Sequence, residues 1–192
     1  MSTTTGDRAP LGAAGRITLV SGVIAAIGVA FLAAMFVSFA IGARSAGLAF
    51  GWVNDVLVMV SYALTAPAVL ALGRLLRPRA PIRYPLAAVI GLLSIAAIVL
   101  LQLLLVIGVL TFEEEIGPAS IAYIGLGAWF VLSGYLGRVG SVLPNGVRMG
   151  VLGATYVGYP IWAFWMGRRL LDWPAQPDRD RSVVTAEDFG NV

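Results

Sequence analysis

The sequence predicts an all-α fold: an integral membrane bundle of five transmembrane helices. Three observations lead there. Mean hydropathy is +0.88, with 59% hydrophobic and only 12% charged residues, well outside the range of soluble domains. Apolar runs long enough to cross a hydrocarbon core of about 30 Å recur along the chain, bounded by charged residues, proline or glycine. A chain of 192 residues holds such spans and short loops but no large extramembrane domain.

Composition also excludes chemistry. All thirteen basic residues are arginine, and there is no Lys, His or Cys. Without His or Cys there is no ordinary zinc site, no His-ligated haem and no thiol or disulfide chemistry. A Ser-His-Asp or Cys-His nucleophile is impossible. Without lysine there is no Schiff base for retinal or pyridoxal phosphate. The net charge of +3 sits near span ends, so it reports membrane topology rather than nucleic-acid binding. No catalytic residue, cofactor site or metal site is predicted.

Residues 1–15 are rich in Ser, Thr, Gly and Ala and read as a disordered lead, with the bundle over 16–170. The first span covers about 17–41. It follows Arg8 and Arg16 and has Ser38-Phe39-Ala40 near its end, the pattern of a secretory signal. Its length exceeds the apolar region of a signal, typically about 7–15 residues, so it predicts a retained helix. Gly22, Ala26, Ala30, Ala34, Ser38 and Gly42 recur at every fourth position, and such rows let helix backbones approach closely in lipid.

A short loop over 43–51 leads to the second span, about 52–76, with Trp52 at the interface. Asn54 and Asp55 lie at its start, and Asn54, Ser61 and Thr65 share one helical face. Pro67 predicts a kink that frees the Ala63 carbonyl. Arg74, Arg77, Arg79 and Arg83, with Pro78 and Pro81, form a basic loop that anchors at a membrane surface or contacts lipid headgroups.

The third span, about 85–112, carries Gly91, Gln102 and Glu113 at intervals of eleven, which places them on one face. An amide such as Gln102 within the span needs a partner in the bundle. Glu113, Glu114 and Glu115 end this helix, either to attract a cation or to hold the helix end out of lipid. Pro118 suits the first position of the fourth span, about 119–137, where Gly127 and Gly134 mark a small-residue face. Leu143-Pro144-Asn145-Gly146 is turn chemistry.

The fifth span, about 147–167, continues a small row through Gly146, Gly150, Ala154 and Gly158. Its aromatics from Tyr156 to Trp165 predict an interfacial belt. Residues 171–192 form a polar tail of mixed charge.

Five spans place the termini on opposite sides. Arg8, Arg16, Arg74, Arg77, Arg79, Arg83, Arg138 and Arg148 then share one side, which predicts a cytoplasmic N-terminus in a bacterial inner membrane and an external C-terminus. Arg168 and Arg169 are the contrary signal. Asp55 and the glutamates would face Arg44, Arg168 and Arg169 and pair with them.

The run from Leu143-Pro144-Asn145-Gly146 through Gly158-Tyr159-Pro160-Ile161-Trp162-Ala163-Phe164-Trp165 to Arg168-Arg169 resembles the last segment of small uncharacterised bacterial multi-pass membrane proteins. Asn54-Asp55 fits the same resemblance. It implies the multi-pass class and no particular activity; members of that kind often have one more span.

Two functions follow. The first is a non-enzymatic subunit or scaffold in the lipid bilayer, packing through its small-residue faces into a homo-oligomer or against another membrane protein. The second is a small oligomeric transporter or channel whose pathway uses Asn54, Asp55, Ser61, Thr65, Gln102 and Glu113. Carboxylates without a nucleophile, metal set or phosphate loop speak against an enzyme.

Overall fold

The computed structural model describes residues 8–143 and 145–173. Among these residues the chain is all-helical: α1 (Arg8–Ala40), α2 (Arg44–Ala63), α3 (Ala66–Leu76), α4 (Arg83–Val106), α5 (Phe112–Val139), α6 (Gly146–Gly153) and α7 (Tyr159–Leu171). Four helical segments are long and apolar enough to cross a membrane: Pro10–Ala40, Arg44–Leu76, Arg83–Val106 and Phe112–Val139. The 24 residues of α4 rise about 36 Å at 1.5 Å each, enough for a core of about 30 Å.

Turn chemistry sets the ends of these helices, and it moves several expected boundaries. Helix α1 is already formed at Arg8, inside the expected lead, and residues 1–7 of that lead and 174–192 of the expected tail lie outside the described residues. The expected loop over 43–51 is helical, because Gly42 in the left-handed region (φ +79°) reverses the chain at once into α2. Helix α4 stops at Val106 rather than 112. Gly108 takes a positive φ of 76°, its N–H bonds Leu105 O, and Val109 N–H bonds Leu104 O, a Schellman stop. Thr111 then caps α5: Glu114 Oε2 accepts from the Thr111 N–H and hydroxyl at 2.8 Å each, and the Thr111 hydroxyl accepts from Glu114 N–H. The three glutamates therefore open α5 instead of closing α4, and Pro118 lies inside α5 rather than at its start.

The expected fifth span is two short helices joined by a turn over residues 154–158. Gly134 of α5 lies against Gly146, Phe130 against Gly150 and Gly127 against Ala154, so α6 runs antiparallel to α5. Gly15 of α1 lies against Gly167, and Gly22 against Pro160 and Ala163, so α7 runs antiparallel to α1. Helix α6 thus climbs into the bundle and α7 returns beside it. The pair is a hairpin that enters and leaves at the end where α1 begins.

Two ends of unlike charge result. Arg16, Arg74, Arg77, Arg79, Arg83, Arg138, Arg148, Arg168 and Arg169 gather at one, here the arginine end. Glu113, Glu114, Glu115 and Arg44 lie at the other, the acidic end, with Asp55 further along α2. The expectation that Arg168 and Arg169 face the glutamates fails, because α7 turns back before reaching them.

The hairpin also carries its aromatics inward. Tyr159, Trp162, Ala163, Met166 and Leu170 repeat at three and four residues and are buried. Trp162 packs on Phe130 at 4.5 Å and Trp129 at 5.8 Å between ring centroids. Tyr159 and Trp162 belong to the core, not to an interfacial belt. Glycine makes room for them: a side chain at Gly153 would meet Trp162, and one at Gly91 would meet Trp129.

Not every member of the small rows packs. Gly22, Gly146, Gly150 and Gly158 are buried, whereas Ala26, Ala30 and Ala154 are exposed. A four-residue row drifts about 40° per step on a helix. The packed face of α1 follows Ala14, Thr18, Ser21, Ala25 and Gly28 instead, which are buried or half-buried.

The close backbone contact between α5 and α6 gives a direct prediction. A Cβ at Gly134 would lie 2.2 Å from the Gly146 carbonyl oxygen, whereas one at Gly12 meets nothing within 4 Å. Gly134→Ala should therefore destabilise the purified protein by about 1–3 kcal/mol, and Gly12→Ala should stabilise α1 by about 0.5–1 kcal/mol. Thermal melts of both in detergent check this; equal melts would rule out the Gly134–Gly146 contact.

Candidate functional site

The buried polar groups line up from the acidic end toward the middle of the bundle. The outermost pair is Glu115 and Gln102. Successive helical residues point about 100° apart, so the glutamates divide their tasks. Glu113 is exposed, Glu114 closes the capping box, and Glu115 turns inward with 3% of its surface exposed. It shares the inward face of α5 with Ala119, Ala122, Leu126 and Trp129. Gln102 of α4, 6% exposed, donates through Nε2 to Glu115 Oε1 at 3.0 Å. The expected alignment of Gln102 with Glu113 is thus replaced by Gln102 with Glu115, because the chain reverses between them.

Gln102 Oε1 has no partner in the protein. Turning the amide over would aim that oxygen at the Glu115 carboxylate, so the unpaired atom is the acceptor. Tyr123 of α5 stands beside this amide.

Asp55 and Asn54 come next, on α2. Asp55 is half-buried, accepts from Asn54 Nδ2 at 3.4 Å, and lies close enough to Glu115 for the like charges to act on each other. Asn54 Oδ1 accepts from the Tyr156 hydroxyl at 2.6 Å. Tyr156 belongs to the turn of the α6–α7 hairpin, so the tip of the hairpin reaches this polar group. Gly28 of α1 leaves room beside Asn54 and Tyr156. Trp52, one turn nearer the end, donates to Val106 O at 3.3 Å.

The innermost group surrounds the break between α2 and α3. Pro67 has no N–H to give, and the helix loosens ahead of it: Thr65 N–H bonds Tyr62 O. Three hydroxyls converge on the Ser61 carbonyl: Ser21 at 2.6 Å, Thr65 at 3.0 Å and Tyr159 at 3.3 Å. Tyr159 also meets the Ser21 and Thr65 hydroxyls, so the three hydroxyl protons are shared between these contacts and the carbonyl. Pro67 has no N–H for the Ala63 carbonyl, and the shift of the Thr65 N–H to Tyr62 also leaves the Ser61 carbonyl to these hydroxyls. The Ser61 hydroxyl itself bonds Val58 O at 3.0 Å. A cavity of about 10 Å³, lined by residues including Gly28, Ser61, Tyr62 and Tyr156, separates this group from Asn54; that is about the space for one water.

Beyond Thr65 the file stops. Ala68, Val69 and Leu72 of α3 are fully buried, and Tyr84 closes over them, its hydroxyl donating to Val69 O at 2.6 Å. The file itself therefore continues toward the acidic end only; Thr18, Ser94 and Ser133 are buried outside it, and Ser133 Oγ and Trp129 Nε1 have no partner in the protein.

Asn54, Ser61, Thr65 and Gln102 are all buried and belong to this file, Asp55 borders it, and Glu113 does not. Glu115, read from the sequence as one of three acids at a helix end, and Tyr156 and Tyr159, read as interfacial aromatics, belong to it too, as does Ser21, which nothing in the sequence marks. Thr111-Phe112-Glu113-Glu114, a capping box, is the signal that would have started α5 at Phe112 and turned Glu115 inward. No sequence signal marks Tyr156, because its place depends on the return of α7.

Among the described residues no group of His, Cys, Asp and Glu is arranged to hold a metal ion. No protein-family model, curated protein or solved structure matches this chain.

The two ends of the file should respond differently to mutation. Gln102→Leu removes the hydrogen bond to a buried carboxylate and should cost about 1.5–3 kcal/mol. Tyr159→Phe leaves Ser21 and Thr65 still bonded to the Ser61 carbonyl, and should cost about 1 kcal/mol. Chemical unfolding in mixed micelles measures both; a larger loss for Tyr159→Phe would contradict the assignment of Glu115 as the buried anion.

Proposed function

We propose that this protein is a small polytopic membrane protein that takes a proton or a small monovalent cation into its acidic end, as a transporter or channel subunit. One observation carries the reading. The buried Glu115 carboxylate is held by Gln102 Nε2, while Gln102 Oε1 is an acceptor without a donor. The half-buried Asp55 carboxylate, bonded to Asn54, adds a second acid nearby. An unpaired buried acceptor is costly, and a proton or cation is the group that satisfies several acceptors at once.

Two further points support it. Arg44 is the only arginine near this end among the described residues, so ion pairing offers little explanation for the acids. The α6–α7 hairpin brings backbone turns deep into the bundle, a construction tolerated in membranes where it is buried in protein or lines a cavity. The crowding of arginine at the opposite end supports a cytoplasmic arginine end, with the start of α1 and the end of α7 both on that side. A bacterial inner membrane fits this orientation.

A scaffold role is the second reading. The glycines of the rows that motivated it are filled within the chain, by Gly134 on Gly146, Gly150 on Phe130 and Gly22 on Ala163. What favours it now is α1, whose Ala26 and Ala30 stay exposed.

Proteoliposomes under a diffusion potential, with an entrapped proton or cation indicator, test the proposal. Wild-type protein and Glu113→Gln should conduct, and Glu115→Gln should lose flux while keeping its helical content. Flux unchanged in Glu115→Gln, or none in the wild type, would overturn it. In the latter case, crosslinking of neighbouring chains through Ala30→Cys would move the reading to the scaffold.

A further inference from the structure

A second feature lies at the arginine end, where the α3–α4 loop meets the end of α5. Arg79, Pro81, Ile82, Arg83, Leu136 and Val139 line a groove of about 580 Å³, within the range of small-molecule sites. Its chemistry has two halves. On one side are two guanidinium groups, which stay charged at every physiological pH. On the other are apolar side chains, of which Ile82 (82%) and Val139 (66%) stand largely exposed.

Arg79 is held in place. Its Nη1 donates to Leu75 O at 3.1 Å, and its stem crosses Gly140 so closely that a Cβ there would come within 2.9 Å of Cδ. One of its five donors is thereby used, and the rest of the fork remains for another acceptor. Among the described residues Asp172 is the only acid at this end, and it follows α7, outside the residues that line the groove.

We propose that this groove binds one anionic phospholipid of the leaflet at the arginine end. The lipid phosphate meets Arg79 and Arg83, and the first part of an acyl chain lies along Ile82, Leu136 and Val139. Charge complementarity selects an anion, and the adjoining exposed apolar surface selects a lipid over a free phosphate. The site is independent of the acidic-end cluster.

Native mass spectrometry of the full chain in neutral detergent, titrated with phosphatidylglycerol or phosphatidylcholine, tests the proposal. The wild type should retain one phosphatidylglycerol in preference. Removing each arginine should weaken binding about fivefold, so Arg79→Gln with Arg83→Gln should lose roughly 25-fold. Arg148→Gln, at the same end but outside the groove, should change nothing. Val139→Trp should reduce retention with both arginines intact, which keeps the test valid if the double variant does not fold. Equal retention of the two lipids, full retention in both groove variants, or an equal loss in Arg148→Gln would overturn the site. Competition by glycerol phosphate as effective as by whole lipid would overturn the apolar half.

Discussion

Close contact between glycine backbones is the constraint from which the remaining architecture follows. Gly134 on Gly146 and Gly15 on Gly167 bring main chains together where a single methyl group would collide. Apolar side chains gain little by associating in lipid, so intimate packing of this kind is what joins helices there. In this chain it seats a short hairpin, α6–α7, between α5 on one side and α1 on the other. Once the hairpin is seated, both of its ends lie at the arginine end, and its tip lies beside Asn54.

That placement explains why polar groups collect where they do. A hairpin that turns inside a bundle brings Tyr156 and Tyr159 to depths where their hydroxyls need partners. Asn54 meets the first, and the Ser21–Ser61–Thr65 group meets the second. The proline at position 67 contributes from the opposite side, loosening α2 so that its Ser61 carbonyl can accept from three hydroxyls. Much of the polar file is therefore mortar between helices. Glu115 and Gln102 are different in kind, since there a buried carboxylate is joined to an amide whose oxygen is unmet.

Several features were legible in the residues themselves. The apolar runs gave helices, the stripe Asn54, Ser61, Thr65 gave a buried face of α2, and Gln102 was recognisably in need of a partner. Which residue meets it is not legible there. An interval of eleven aligns Gln102 with Glu113 only on an unbroken helix, and Gly108 breaks it. The capping box at Thr111 was local information and could have been weighed. The fifth hydrophobic run is another matter: its length and apolar content suit a span, and nothing in residues 154–158 alone states that the chain turns back. That outcome rests on contacts with α1 and α5, which are remote in sequence. The same tertiary fact draws Arg168 and Arg169 to the side of the other arginines and removes the one contradiction in the charge pattern.

The most direct test is the sidedness of three positions. The natural chain has no cysteine, so Gly12→Cys, Glu113→Cys and Asp172→Cys each provide a unique label site. With a membrane-impermeant maleimide on oriented vesicles, Gly12→Cys and Asp172→Cys should react from one side and Glu113→Cys from the other. Labelling of Gly12→Cys and Asp172→Cys from opposite sides would mean that the last hydrophobic run crosses the membrane, and would contradict the returning hairpin.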